Sequence, residues 1–379
     1  MAQMRFLHAP TGTFSETRYT VDQLKADGIP YACLSHVWSK PGDSGYPECS
    51  YQDVLKNRGR RLSSKIQRFC DVVKGNGIEL AWADSCCINQ DDLAEVQPAV
   101  NSMFTWYRNA TLCVVFLHDV DDYPGHLTAQ WATQFCDSGW FTRCWTLQEL
   151  LGPDSVIFYS RNWRPIMDKA TLSNSGELAA LVECATGIPP SVLEDPRSLA
   201  NISVAQKISW GALRRATKPE DASYSLAGLL GVSLNVRYGI TVEEAFQLLL
   251  SQVLQRIPDH TVLLWGHPCQ AQYPFTPPAC HDDPHSLQDV APLQTHLLPG
   301  CPADFCMSPR FISFHRAQPF LDAAGIDRGR ATDQIFVIRR TADGVHAKLL
   351  LSLPVPTSCH HFPTRIALLG CYVNGPDGK

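Results

Sequence analysis

The sequence predicts an α/β protein: a parallel sheet flanked by helices, a helical annex, and a small β-rich C-terminal lobe. Three observations predict it. Short β-forming runs alternate with helical patterns over residues 31–160, a helical pattern fills 203–256, and three more β-like runs follow residue 311. Strand–helix–strand alternation builds a parallel sheet because each crossover lays its helix on a sheet face.

The first strand is YACLSHV (31–37), an apolar run of β-formers that Trp38 leads into the loop KPGDSGYPECS. Leu62, Ile66, Phe69 and Val73 then recur at helical spacing. Ser63 or Ser64 can cap that helix, and Gly75 and Gly77 can end it. IELAWAD (78–84) reads as a buried strand. Asp92 to Arg108 reads as a helix, with Asp92 and Glu95 at capping-box spacing and Pro98 expected to kink it. TLCVVFL (111–117) is a third strand, 142–151 a short helix capped by Thr142 and stopped at Gly152-Pro153, and SVIFYS (155–160) a fourth strand.

In the annex one helix is expected to run up to Arg215. Thr217 with Glu220 opens a second, with Pro219 in its first turn and Gly231 ending it, and Thr241 with Glu244 opens a third. The texture changes near Pro258. Residues 266–310 are rich in Pro, His and Cys, and DQIFVIRR, AKLLLSLPV and TRIALLGCYV follow as β-like segments. The expected domains are an α/β domain with its annex over 1–260, an irregular linker over 261–310, and a β-rich lobe over 311–379 that stops soon after its third strand.

Composition narrows the function classes. With 45% hydrophobic and 18% charged residues, the chain can bury an ordinary core. A net charge of -5 and short Lys/Arg runs argue against nucleic-acid binding. No apolar run approaches the ~20 residues that span a bilayer, so no membrane partner is expected. The 15 cysteines are odd in number and irregularly spaced, and MAQMRFLHAP lacks a secretory pattern; reduced thiols in the cytoplasm are expected. CHDDPH (280–285), CPADFC (301–306) and Cys359-His360-His361 gather potential ligands without a CxxC pair or an HExxH, so no metal site is assigned. There is no P-loop and no GxGxxG.

Ligands of a parallel sheet sit at the carboxyl ends of its strands. Ser35, His36 and Trp38 end the first strand, Asp84 and Ser85 the second, and Arg143, Trp145 and Glu149 follow the third. Trp145 and Glu149, four apart, share a helix face. A carboxylate beside an indole can hold ribose hydroxyls and stabilise an oxocarbenium ion. A cation such as Arg143 in a first helical turn opposes the helix dipole unless an anion also sits there. Glu149 paired with an arginine and Trp145 in the core is the simpler account of the same spacing. Asp84 either binds ligand or caps the loop that follows it. Ser35 and His36 point to opposite faces, so a hydrolase triad with Asp84 is disfavoured. Cys86-Cys87 with His36 as base is a further weak option. Arg215 and Asp221 are expected to pair and fix the annex.

Four ordered segments make the chain resemble the fungal heterokaryon-incompatibility (HET) family: YACLSHVW, WADSCCINQDD with NSMFTWYRNA, WFTRCWTLQELLGP, and RRATKPEDASYSLAGLLGV, over about residues 31–250. Ser39, Cys144 and Pro98 depart from the family pattern. The resemblance implies non-self recognition and programmed cell death, with self-association into a homo-oligomer or protein partners in incompatibility signalling. WTLQEL (145–150) is also similar, more distantly, to a motif of TIR domains. That likeness implies a TIR/Rossmann-like fold and Glu149 as the catalytic residue of NAD hydrolysis; by their places at the strand ends and on the short helix, Ser35, Trp38, Asp84, Arg143 and Trp145 would be the substrate-binding residues. NAD would enter as a substrate; no cofactor is expected. The rival is a non-enzymatic module that recruits partners.

Overall fold

The computed structural model describes residues 2–39, 48–57, 62–174, 176–257, 259–263 and 299–305, with six strand segments beyond them. By its internal contacts the chain divides into two compact units, Met1–Asn201 with Leu213–Gln252, and Ile202–Ala212 with Val253–Lys379.

The first unit is built on a seven-stranded mixed sheet. Its strands are β1 (Leu7–His8), β2 (Thr13–Phe14), β3 (Tyr31–His36), β4 (Leu80–Trp82), β5 (Leu112–Phe116), β6 (Val156–Tyr159) and β7 (Pro165–Asp168), in the order β2-β1-β4-β3-β5-β6-β7. The four strands read from the sequence form the parallel centre, β4-β3-β5-β6. The all-parallel expectation is corrected at both edges. β1 lies antiparallel on β4 and on β2, and β7 returns antiparallel along β6. The chain goes from β3 to β4 on one side and then crosses to β5 on the other, so strand order reverses beside β3. Doubly wound sheets open their ligand crevice at such a reversal.

The helices follow from local signals. α1 (Val21–Ala26) opens on a capping box, Thr20 with Gln23, and α2 (Tyr51–Asn57) precedes α3 (Ser64–Gly75). Ser63 caps α3, whose Ile66, Phe69, Cys70 and Val73 are buried as the helical spacing predicts. α4 (Asp84–Cys87) is a single turn after β4. α5 (Leu93–Arg108) continues through Pro98 as one element. Asp92 caps it at the Ala94 amide, 3.0 Å, but Glu95 does not close the box. It accepts from the Asn89 amide at 3.1 Å and takes a bidentate pair from Arg5 at 2.7 and 2.8 Å. A charged hydrogen bond outweighs a local cap here.

α6 (Ala129–Cys136), α7 (Gly139–Thr142) and α8 (Thr146–Leu151) lead to β6. α9 (Gly176–Thr186) and α10 (Pro190–Glu194) follow β7. α8 packs on α5, and Gly152 permits the approach. A Cβ there would stand 2.9 Å from the Gln148 carbonyl and 3.2 Å from the Arg108 amide. α11 (Val204–Ser209) ends at Ser209 rather than reaching Arg215, and its residues belong to the second unit. α12 (Asp221–Ala227) starts without the expected Thr217–Glu220 box, because Thr217 accepts from Arg143 and Glu220 from the Gly239 amide. α13 (Val242–Arg256) opens on the Thr241–Glu244 box, with both bonds formed at 2.9 and 3.1 Å.

In the second unit Asp259 and Thr261 accept from the first free amides of α11, at 2.9 Å from Val204 and 3.1 Å from Ala205. Three antiparallel pairs are described: Phe311–Ser313 with Cys371–Val373, Ile338–Thr341 with Gly344–Ala347, and Leu350–Leu351 with Ala367–Leu368. The candidate ligands in 280–285 and 359–361 lie outside the described residues. Among the described residues no group of three His, Cys, Asp or Glu side chains is placed to hold a metal, and no helix is long and apolar enough to cross a membrane.

Candidate functional site

Ser35 and His36 end β3 and face opposite ways, as strand alternation requires. On the α8 side Ser35 is fully buried. Its hydroxyl donates to Glu149 Oε2 at 2.5 Å and accepts from Trp140 Nε1 at 2.8 Å. Nearby, Tyr107 donates to the Leu34 carbonyl at 2.9 Å. Trp140 is itself fixed from below: Ser138 and the Gly139 amide both donate to Asp119, at 2.7 and 2.8 Å. That clamp sets the start of α7, and the Trp140 ring packs edge-on against Phe158 at 5.5 Å.

Glu149 is only 3% exposed. Burial, and next the charge of Asp84, push its carboxyl up to about 8; the hydrogen bond from Ser35, the nearby Tyr107 hydroxyl and the charge of Arg143 offset part of this. The group therefore carries a proton near neutral pH.

On the other face of β3, His36 Nε2 lies 3.2 Å from Glu48 Oε1, and Lys65 Nζ reaches Glu48 Oε2 at 2.7 Å. Lys65, 1% exposed, also donates to Ser39 Oγ at 3.0 Å and to the Val37 carbonyl at 3.4 Å. This cluster pins the chain that leaves β3. Trp38, on that segment, donates to both oxygens of Asp84 at 3.1 Å. Asp84 is half-buried; burial raises its carboxyl, while the His36 charge and the Trp38 bond work the other way.

Arg143 and Trp145 are placed differently from the expectation. The helix foreseen over 142–151 is broken. Arg143 is extended between α7 and α8, because the Cys144 amide donates to the Arg215 carbonyl at 3.0 Å. Arg143 thus lies outside any first helical turn, and its side chain donates to Thr217 at 2.8 Å. The buried Arg214 braces this bend through the Arg143 carbonyl at 3.0 Å and Thr146 Oγ1 at 2.9 Å. Trp145 sits at the cap of α8 and donates to Asp221 Oδ2 at 3.1 Å, while Tyr238 donates to Oδ1 at 3.1 Å. The expected Arg215–Asp221 pair does not form; Arg215 acts through its backbone. Trp145 and Glu149 share a helix but not a partner.

The structure therefore joins Ser35 with Glu149 and Trp38 with Asp84, and ties Arg143 and Trp145 to the annex. Trp140, Tyr107, Glu48 and Lys65 escaped the sequence reading. Trp140 was within sight, five residues before Trp145 in the same WFTRCW run. Hydrogen bonding with the Cys49 and Cys87 thiols, and then burial, push Cys86 far above the ordinary thiol range, which disfavours it as a nucleophile.

Residues 31–129 match the family model described as heterokaryon incompatibility protein (HET). The chain is also 38% identical over 244 residues to the vegetative incompatibility protein HET-E-1 of Podospora anserina. That likeness covers 63% of this chain and 17% of the relative's length. No solved structure matches. The HET match holds Ser35, Trp38, Asp84 and Tyr107, whereas Trp140 and Glu149 lie beyond it.

Proposed function

We propose that this chain is a signalling part of a fungal incompatibility protein, and that it promotes cell death by hydrolysing NAD at a site centred on Glu149. The likeness to HET-E-1 supports the first half of this reading. The observation that carries the second is the Ser35–Glu149 bond beside the strand reversal, with a second carboxyl, Asp84, near enough to influence Glu149. The distant TIR-like WTLQEL run supports the same residue.

Cleavage breaks the bond from ribose C1′ to the nicotinamide nitrogen. The electron pair leaves with nicotinamide, and water adds at C1′ to give ADP-ribose and a proton. Glu149 must be ionised to face the developing oxocarbenium ion. A cationic nicotinamide ring against it favours that form, since an opposite charge lowers a carboxyl pKa. Ser35 orients the carboxylate. Asp84 and Trp38 line the crevice, Arg143 takes a phosphate, and Trp145, whose N–H is held by Asp221, offers its ring.

The enclosure of Glu149 favours a second reading, a non-enzymatic module that self-associates or recruits partners. Nicotinamide release by the purified chain, at concentrations that allow self-association, separates the two. Glu149→Gln, which keeps shape and removes the acid, serves as control. Release that falls at least about 100-fold in the variant supports hydrolysis. Folded, oligomeric wild-type protein that releases nothing supports the scaffold.

A further inference from the structure

Among the described residues three cysteines are not buried, half-buried Cys136 and Cys301 and exposed Cys184; all three thiols are free, and Cys136 and Cys184 belong to the first unit. Cys136 is the last residue of α6, which packs against α9. Its Sγ donates to the Leu181 carbonyl at 3.8 Å. Cys184 lies three residues beyond Leu181 and so on the same ridge of α9. The α6–α9 packing and the Cys136–Leu181 contact thus bring the Cys184 end of that ridge toward Cys136, near enough for each thiol to act on the other.

We propose that Cys136 and Cys184 form an oxidation site that a hydroperoxide closes to a reversible disulfide, joining α6 to α9. The loop this closes, 137–183, contains Trp140, Ser138 and Glu149. Cys136 stands four residues before Trp140, so the bond would fasten the segment that orients Ser35 and Glu149. No third ligand converges among the described residues, which disfavours a metal at this pair.

The chemistry balances with one peroxide. The Cys184 thiolate, the more accessible, attacks the O–O bond and becomes a sulfenic acid as water leaves. Cys136 sulfur then attacks that sulfur; the S–S bond forms, and the hydroxyl leaves with the thiol proton as a second water. Burial, then the Cys184 thiol, push Cys136 up to about 11, which suits it to the resolving step rather than to first attack. The inference is independent of any NAD chemistry.

The test uses the purified chain, fully reduced, then treated with hydrogen peroxide, alkylated, digested and weighed. A linked peptide pair carrying Cys136 and Cys184, released by dithiothreitol, is expected. The melting temperature should rise by about 5 °C on oxidation, and the rise should vanish in Cys184→Ser and in Cys136→Ser. Because Cys184 is exposed, its serine variant should melt like the reduced parent. Both cysteines still alkylated after peroxide, Cys184 carried to sulfinic acid with Cys136 free, or a link to a different cysteine would each overturn the proposal.

Discussion

Two neighbouring residues of β3 hold two glutamates in opposite states. On one face Ser35 meets Glu149, which has a serine and aromatic side chains around it and, among the described residues, no cation in bonding contact. On the other, His36 meets Glu48, which also accepts from Lys65. Burial raises both carboxyls. For Glu149 nothing outweighs it, and the group rises to about 8. For Glu48 the His36 and Lys65 interactions outweigh it and hold the carboxyl well below its ordinary range. Burial alone therefore does not set a carboxyl's state; the nearest cation does. The ionised cluster fixes the chain leaving β3, while the protonated acid sits where chemistry is proposed.

The largest effect should come from the ionised side. Glu48→Ala leaves Lys65, 1% exposed, without its carboxylate. Breaking a buried pair in this way costs about 3 kcal/mol, on the order of 10 °C in melting temperature. Adding Lys65→Met should recover much of the loss, because two apolar groups replace a pair more cheaply than one group is stranded. Equal melting of Glu48→Ala and the parent would show that Glu48 is not the anchor and would dissolve the contrast.

A third carboxyl sharpens it. Asp221 is buried and, among the described residues, has no cation in bonding contact, yet it accepts from Trp145 and Tyr238. Asp221→Ala strands two donors and should cost about 2 kcal/mol by thermal or urea melts. Arg215→Ala should move stability by less than about 0.5 kcal/mol, since the exposed side chain is not Asp221's partner. A large loss in the arginine variant would restore the ion pair that the sequence suggested.

These cases also show what the sequence could tell. The caps of α3 and α13 and the four parallel strands are legible because their determinants lie within a few residues. β1 and β2, two residues each, are too short to leave a periodic signal, and β7 opens on Pro165 and ends on Asp168, so it lacks a run of β-formers. The 142–151 helix was misread because the Cys144 amide is taken by Arg215, a partner 71 positions away that overrides local propensity. Ser35, Asp84 and Glu149 were placed at the carboxyl edge by position alone. Trp140 was not, because its role depends on a bond to a residue 105 positions away. Glu48 and Lys65 bear no motif; only the fold brings them to His36.

The last effect is the one whose sign depends on pH. Glu149 is raised in the folded state from 4.5 to about 8. Between those values the folded chain holds a proton that the unfolded chain has lost. Its contribution is therefore complete below about pH 4.5 and fades as pH rises through about 8, with a slope of at most ~1.4 kcal/mol per pH unit. Glu48 behaves oppositely: its stabilisation is present above the ordinary carboxylate range and is lost on acidification. Glu149→Gln mimics the protonated acid, so at pH 5 it should melt within about 1 kcal/mol of the parent. Toward pH 8 the variant should become the more stable of the two. Asp84, raised in the same direction, titrates in both proteins, so the difference reads Glu149 together with its repulsion from Asp84. A variant that tracks the parent across this range would mean that Glu149 ionises normally in the fold, and the two faces of β3 would then no longer differ in charge state.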